Sequence, residues 1–94
     1  MNTIQQANKD KLQGYIGQGG WIGDMGNKVK NLVGLYENGE MWDQALVHML
    51  TEMMKMTNPN GTPDDLIQKV ELNNVIDAII GDVDPDKRID PNPV

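Results

Sequence analysis

Apolar residues recur every three or four positions along most of the chain, which is the spacing of one face of an α-helix. The clearest case spans 40–57, a segment that has no glycine or proline and is rich in good helix formers. The pattern therefore predicts a strong helix there with a broad apolar face. Its apolar positions are Trp42, Ala45, Leu46, Met49, Leu50, Met53 and Met54.

Two further helices are predicted before this one. A segment from about 22 to 36 repeats the helical spacing, and Asn38 and Gly39 end it because both residues tolerate the left-handed conformation. A more polar helix is predicted over 3–16, with Thr3 as its N-cap. The glycines at 17, 19 and 20 place a break between these two helices, since each glycine inside a helix costs about 1 kcal/mol relative to alanine.

The segment after residue 61 predicts a helix with an interruption. Thr62 and Pro63 form a good helix start, because a hydroxyl caps the first turn and proline needs no hydrogen bond there. A continuous helix would put Asn73 and Asn74 on the buried stripe, so we expect a kink or two short helices between 63 and 80, ending at Gly81. The two apolar registers are Leu66, Ile67 and Val70, then Leu72, Val75, Ile76, Ile79 and Ile80.

These segments together predict an all-α fold, a small bundle of four to five helices followed by an acidic, proline-rich C-terminal tail. The second and third helices would form an antiparallel hairpin. We expect a helical domain over 1–81 and the tail over 82–94. A chain of 94 residues buries little surface, so a partner or a second copy would add to its stability, and a homo-oligomer is one expectation.

Charge and composition narrow the function. The net charge of −6 is the wrong sign for a protein that coats phosphate backbones, which argues against nucleic-acid binding. There is no cysteine or serine and one histidine, so the residues of nucleophilic catalysis are nearly absent and no enzyme or cofactor is expected. No membrane span or signal peptide is found either, so we expect a soluble protein of the host cytoplasm.

The tail carries alternating aspartates, at 82, 84 and 86, followed by Ile89. This stretch is similar to the opening of a dockerin calcium repeat. Lys87, however, stands where that loop needs glycine, and Pro93 stands where it needs the last carboxylate. We therefore interpret the segment as a solvated or partner-bound tail and predict no metal site.

The first hypothesis is a non-enzymatic interaction protein, an accessory or inhibitory protein of a phage or mobile element that binds a host protein. A structural protein of a virion is a further alternative. The methionine-rich face is interpreted mainly as core, with its excess width available for an interface. The candidate partner-binding residues are Trp42, Met49 and Met53 on that face and Asp82, Asp84 and Asp86 at the acidic end.

The glycine-rich stretch permits two interpretations. Glycines at 17, 20, 23 and 26 recur every third residue, which would let two helices approach closely; a phosphate cradle with the nearby lysines is the weaker alternative. The close helix contact or a simple loop is favoured, because no strand precedes the glycines.

A short pair of motifs leads to a second function. Gly14-Tyr15 and the segment 27–30, Asn-Lys-Val-Lys, resemble elements of small helical phage proteins that sequester cyclic dinucleotides. The resemblance covers a small part of the chain, and membership is not claimed because the second half follows a different pattern. It implies an oligomeric binder of an anionic nucleotide, in which Tyr15 stacks on a base and Lys30, with Lys28, meets phosphate.

Overall fold

The computed structural model describes residues 2–87, which form four α-helices and one short 3-10 helix. No strand occurs within this range, so the predicted all-helical fold is confirmed. The tail predicted over 82–94 extends outside the described residues. The helices are α1 (Gln6–Ile16), α2 (Gly20–Glu37), α3 (Asp43–Lys55) and α4 (Pro63–Val83), and the 3-10 helix is Pro85–Lys87.

The core draws on all four α-helices, and α4 packs against each of the other three. Because each helix presents an apolar stripe every three or four residues, the four stripes can share one interior. Within 2–87 the buried apolar residues are Ile4, Leu12, Ile22, Met25, Val29, Val33, Tyr36, Leu46, Val47, Leu50, Met53, Leu72, Val75, Ile76, Ile79, Ile80 and Val83.

The chain is not helical over residues 2–5, which corrects the predicted helix start at Thr3. The backbone N–H of Asn2 donates to Tyr36 Oη at 2.7 Å, and its side-chain amide donates to the carbonyl of Val83 at 2.6 Å. Ile4 is buried in the core. Contacts with α2 and α4 therefore hold this segment, and α1 begins only at Gln6.

Helix α1 approaches α2 closely at two glycines. A Cβ placed on Gly23 would lie 3.0 Å from the carbonyl oxygen of Ile16, and one on Gly26 would lie 2.9 Å from Ile16 Cγ1. Both glycines are buried. The prediction that spaced glycines bring two helices together is confirmed at these two positions.

Helix α4 is continuous over 21 residues, so the predicted division into two short helices is wrong. Asn74 is exposed, and Asn73 is only half-buried. Asn73 uses its amide for the contact with α3 described next, which gives a polar residue at the edge of the core its hydrogen bonds. The helix also continues two residues past the predicted stop at Gly81.

Lys69 is the buried residue that joins α4 to the end of α3. Its ammonium group donates to the carbonyls of Met53 and Met54 at 3.0 and 3.1 Å and to Asn73 Oδ1 at 2.6 Å. Asn73 Nδ2 in turn donates to the carbonyl of Met54 at 3.1 Å. A cation is stabilised at the C-terminus of a helix, and these contacts supply partners for all three ammonium protons.

The first half of α4 turns its apolar side chains to solvent. Leu66, Ile67 and Val70 were predicted as one of the two buried registers, yet they are 51%, 58% and 61% exposed. The reason is geometric, because the helix buries the side that carries Lys69 and Leu72 and these three residues lie on another side. We call them the α4 patch.

Replacing Gly26 by alanine should weaken the α1–α2 contact. The new methyl group would press on Ile16 Cγ1 and on the Ile16 backbone nitrogen, 3.3 Å away, so the free energy of unfolding should fall by about 1–2 kcal/mol. The matched control is Gly34→Ala in the same helix, where a Cβ meets nothing within 4 Å and stability should rise by up to about 1 kcal/mol. Urea denaturation of both variants measures this, and equal stability changes would contradict the packing account.

Lys69 should make stability depend on pH. Burial lowers the pKa of Lys69 below its ordinary value of 10.5, so between the lowered pKa and 10.5 the unfolded chain binds more protons than the folded one. The free energy of unfolding should therefore rise with pH in that window. Denaturation should be followed only up to pH 10.0, because burial raises the pKa of Tyr15 and Tyr36 above that value, which has the opposite effect beyond it. The Lys69→Met variant should lose the rise, and an unchanged rise would show that another group causes it.

Candidate functional site

Three large apolar side chains lie exposed along one flank of α3. Trp42 precedes the helix, Met49 lies at its middle and Met56 follows its end, and they are 83%, 43% and 48% exposed. Residues seven apart are nearly two helical turns apart, so the three positions fall on one line. We call them the α3 stripe.

The predicted partner-binding face is thus altered by one residue. Met53 is buried in the core with 7% exposure, and its carbonyl accepts from Lys69, so its side chain is not presented to a partner. Met56 takes a place on the surface instead. Trp42, Met49 and Met56 are spaced seven residues apart, but this spacing alone does not show which apolar stripe another helix covers.

An open cavity of about 470 Å³ adjoins Trp42. Tyr36 lies on its wall with its hydroxyl held by the backbone of Asn2. Burial, reinforced by a hydrogen bond to Asp43, raises the pKa of Tyr36, so this hydroxyl stays neutral. The cavity offers room beside the tryptophan for a side chain of a partner. Its lining consists of Tyr36, Gly39, Met41, Trp42, Asp43 and Gln44.

The three aspartates predicted at the acidic end have different surroundings. Asp82 lies inside α4 and accepts from the backbone N–H of Gln5 at 3.0 Å and from Asn8 Nδ2 at 2.8 Å. Asp84 accepts from the backbone N–H of Asp86 at 3.1 Å, and Asp86 is exposed. Asp82 is therefore committed to holding the start of α1, whereas Asp86 is presented to solvent.

The structure does not bring the predicted nucleotide-binding residues together. Tyr15 directs its hydroxyl to Glu71 on α4 at 3.5 Å, and burial followed by the Glu71 charge raises the pKa of Tyr15. Lys30 instead contacts Gln13 at 3.4 Å, and Lys28 is exposed two residues before it in α2. Because positions 13 and 15 lie on opposite sides of a helix, Lys30 contacts the side of α1 opposite to the one that carries Tyr15.

Lys30 borders a groove of about 320 Å³ between α1 and α2. Leu12, Ile16 and Val33 give the groove an apolar lining. Lys9 also borders it, but its ammonium group is paired with Glu37 at 2.9 Å. The rim therefore alternates positive and negative charge and has no strong preference for an anion.

No three His, Asp or Glu side chains among residues 2–87 gather closely enough to hold a metal ion. His48 is exposed and borders a cavity of about 370 Å³ with Asp84. None of the described helices is long and apolar enough to cross a membrane.

Comparison with protein-family models, with curated proteins and with solved structures finds no match for the chain.

Replacing Asp82 by alanine should destabilise the fold. The Gln5 N–H and the Asn8 amide would lose their acceptor, so the free energy of unfolding should fall by about 1–2 kcal/mol. Asp86→Ala is the control, since Asp86 is exposed and donates only its backbone N–H, which the substitution keeps. Thermal and urea denaturation at neutral pH compare the two variants. Equal stability of the Asp82→Ala variant and the parent protein would contradict the assigned contact.

Proposed function

We propose that this protein is a non-enzymatic binding protein that docks a partner protein along the α3 stripe. The observation that carries the proposal is Trp42, whose side chain is 83% exposed and aligned with Met49 and Met56. Tryptophan and methionine are enriched in the centres of protein interfaces, and exposed tryptophan is uncommon elsewhere.

The side chains of the stripe suit this role energetically. A buried tryptophan is among the residues whose truncation costs most at an interface, often about 2 kcal/mol or more. The cavity beside Trp42 would accept a side chain from the partner, so the indole could be enclosed from both directions. The methionines are flexible and can adapt to the partner's shape.

The geometry of α3 also fits a groove on a partner. From Trp42 to Met56 the stripe runs about 20 Å along the helix, and its seven-residue spacing matches the i and i+7 anchors of helices that bind apolar grooves. Glu52 and Lys55 pair with each other at 3.4 Å and are exposed on the same helix. Exposed charged side chains of this kind form the polar rim of an interface.

The proposed role is that of an accessory or inhibitory protein of a phage or mobile element acting on a host protein. Small size, acidity and the lack of serine and cysteine motivate this role. Asp86, which is exposed, remains a candidate for a peripheral contact with the partner. The nucleotide-binding alternative gains no support from the described residues, because Tyr15 faces the carboxylate of Glu71, which would repel phosphate.

The test is a comparison of Trp42→Ala with Leu35→Ala. Leu35 is an exposed apolar residue of α2, so its substitution removes apolar surface outside the stripe, although less than Trp42→Ala removes, since Leu35 is 40% exposed. A partner captured by the parent protein from its native cells would be purified, and its affinity for each protein would be measured by calorimetry. We expect Trp42→Ala to weaken binding by about tenfold or more and Leu35→Ala to change it by less than about twofold.

Circular dichroism should show that both variants remain folded, since both residues are exposed. Native mass spectrometry of the parent protein gives the oligomeric state in the same samples. Equal affinity of the Trp42→Ala variant would contradict docking at the stripe. A homo-oligomer that dissociates on Trp42→Ala, with no second protein bound, would instead favour the structural, virion-like alternative.

A further inference from the structure

The α4 patch is a second apolar surface, on a different helix from the α3 stripe. Leu66, Ile67 and Val70 lie within an arc of about 100° on the first half of α4. Each is more than half exposed, although the remaining large apolar residues of α4 are buried. Within residues 2–87, no element covers this apolar face of α4.

This face is held in a fixed shape. The helix begins with a capping box, in which Thr62 and Asp65 exchange hydrogen bonds between side chain and backbone. One turn after Asp65, Lys69 fastens the helix to the end of α3. A face that is already rigid loses little conformational entropy on binding.

The charged side chains that α4 itself exposes beside the patch are acidic. The only basic residue of α4 is Lys69, which is buried and donates to backbone carbonyls and Asn73. Asp64 and Glu71 are exposed and flank the patch on one side. They are seven residues apart, so they lie in line at about 10 Å along the helix axis.

This combination selects the chemistry of a partner. A second copy of α4 laid on the patch would oppose carboxylates with carboxylates, and the acidic surface of most membranes would repel them too. A helix with an apolar stripe and basic side chains would bury the patch and neutralise both acids. We propose that the α4 patch docks an amphipathic helix of a partner protein that carries Lys or Arg two turns apart beside its apolar stripe.

The inference is independent of the function proposed above. It concerns another helix, and neither Trp42 nor Met49 takes part in it. A negative result for the α3 stripe therefore does not bear on the α4 patch, and the converse also holds. Variants of the two surfaces test the two proposals separately.

The test uses two synthetic helical peptides about 20 residues long. Both have leucines on one face; one has lysines beside the leucines, spaced two turns apart, and the other has glutamates at the same positions. Binding of each labelled peptide to the full chain would be followed by fluorescence anisotropy. We expect the lysine peptide to bind at least about tenfold more tightly than the glutamate peptide.

Two sets of variants locate the binding. The double substitution Ile67→Ser and Val70→Ser should lower the affinity for the lysine peptide by about tenfold or more. The chain should stay folded, because both side chains are exposed. The double substitution Asp64→Lys and Glu71→Lys should reverse the preference, so that the glutamate peptide binds more tightly. The matched control, Asp24→Lys with Glu40→Lys, changes the net charge equally at exposed positions elsewhere and should keep the parent preference.

Several results would overturn the proposal. If the two peptides bind with equal affinity, charge complementarity does not select the partner. If neither peptide binds, the α4 patch is not a docking surface for such helices. If Asp24→Lys with Glu40→Lys also reverses the preference between the peptides, the preference is due to the net charge of the protein and not to the acids beside the patch. If the parent protein forms a concentration-dependent dimer, and the Ile67→Ser, Val70→Ser variant does not, a second copy of the chain is the occupant of the patch. Unchanged affinity in that apolar variant would place the peptide elsewhere.

Discussion

The buried ammonium group of Lys69 is the constraint on which the second half of the fold depends. A cation in a protein interior is costly unless its protons find partners, and here the last carbonyls of α3 and the side chain of Asn73 supply them. The last carbonyls of a helix lack the regular donor four residues further on, and the Met53 carbonyl accepts from the Met56 N–H at 3.2 Å as well as from Lys69. One contact therefore satisfies both elements, and it fixes how α4 is rotated against α3.

The rotation determines what the surface presents. With Lys69 and Leu72 directed inward, the residues of the α4 patch are directed outward, and Met53 of α3 is drawn into the core. The flank of α3 that begins at Trp42 stays uncovered. Both apolar surfaces thus follow from the way the two helices pack. The residues of the α3 stripe and the α4 patch are not part of the hydrophobic core.

The first half of the fold depends on a different constraint, the absence of side chains at Gly23 and Gly26. Because Ile16 lies against these two residues, α1 can sit close to α2 although it contributes only Leu12 as a fully buried residue. The end of α4 secures the other end of α1 through Asp82, and Asn2 contacts both Tyr36 and Val83. The weakest helix is thereby held at both of its ends.

The sequence by itself determined the helical class, the glycine break between the first two helices and the start of α4 at Thr62 and Pro63. These features depend on local preferences and on periodicity, which a single segment contains. Only the tertiary structure decided that α4 is continuous, because the partners of Lys69 and Asn73 belong to a distant helix. For the same reason the pattern could not tell that Met53 is buried while Met56 is exposed, since the spacing of apolar residues does not say which stripe another helix will cover.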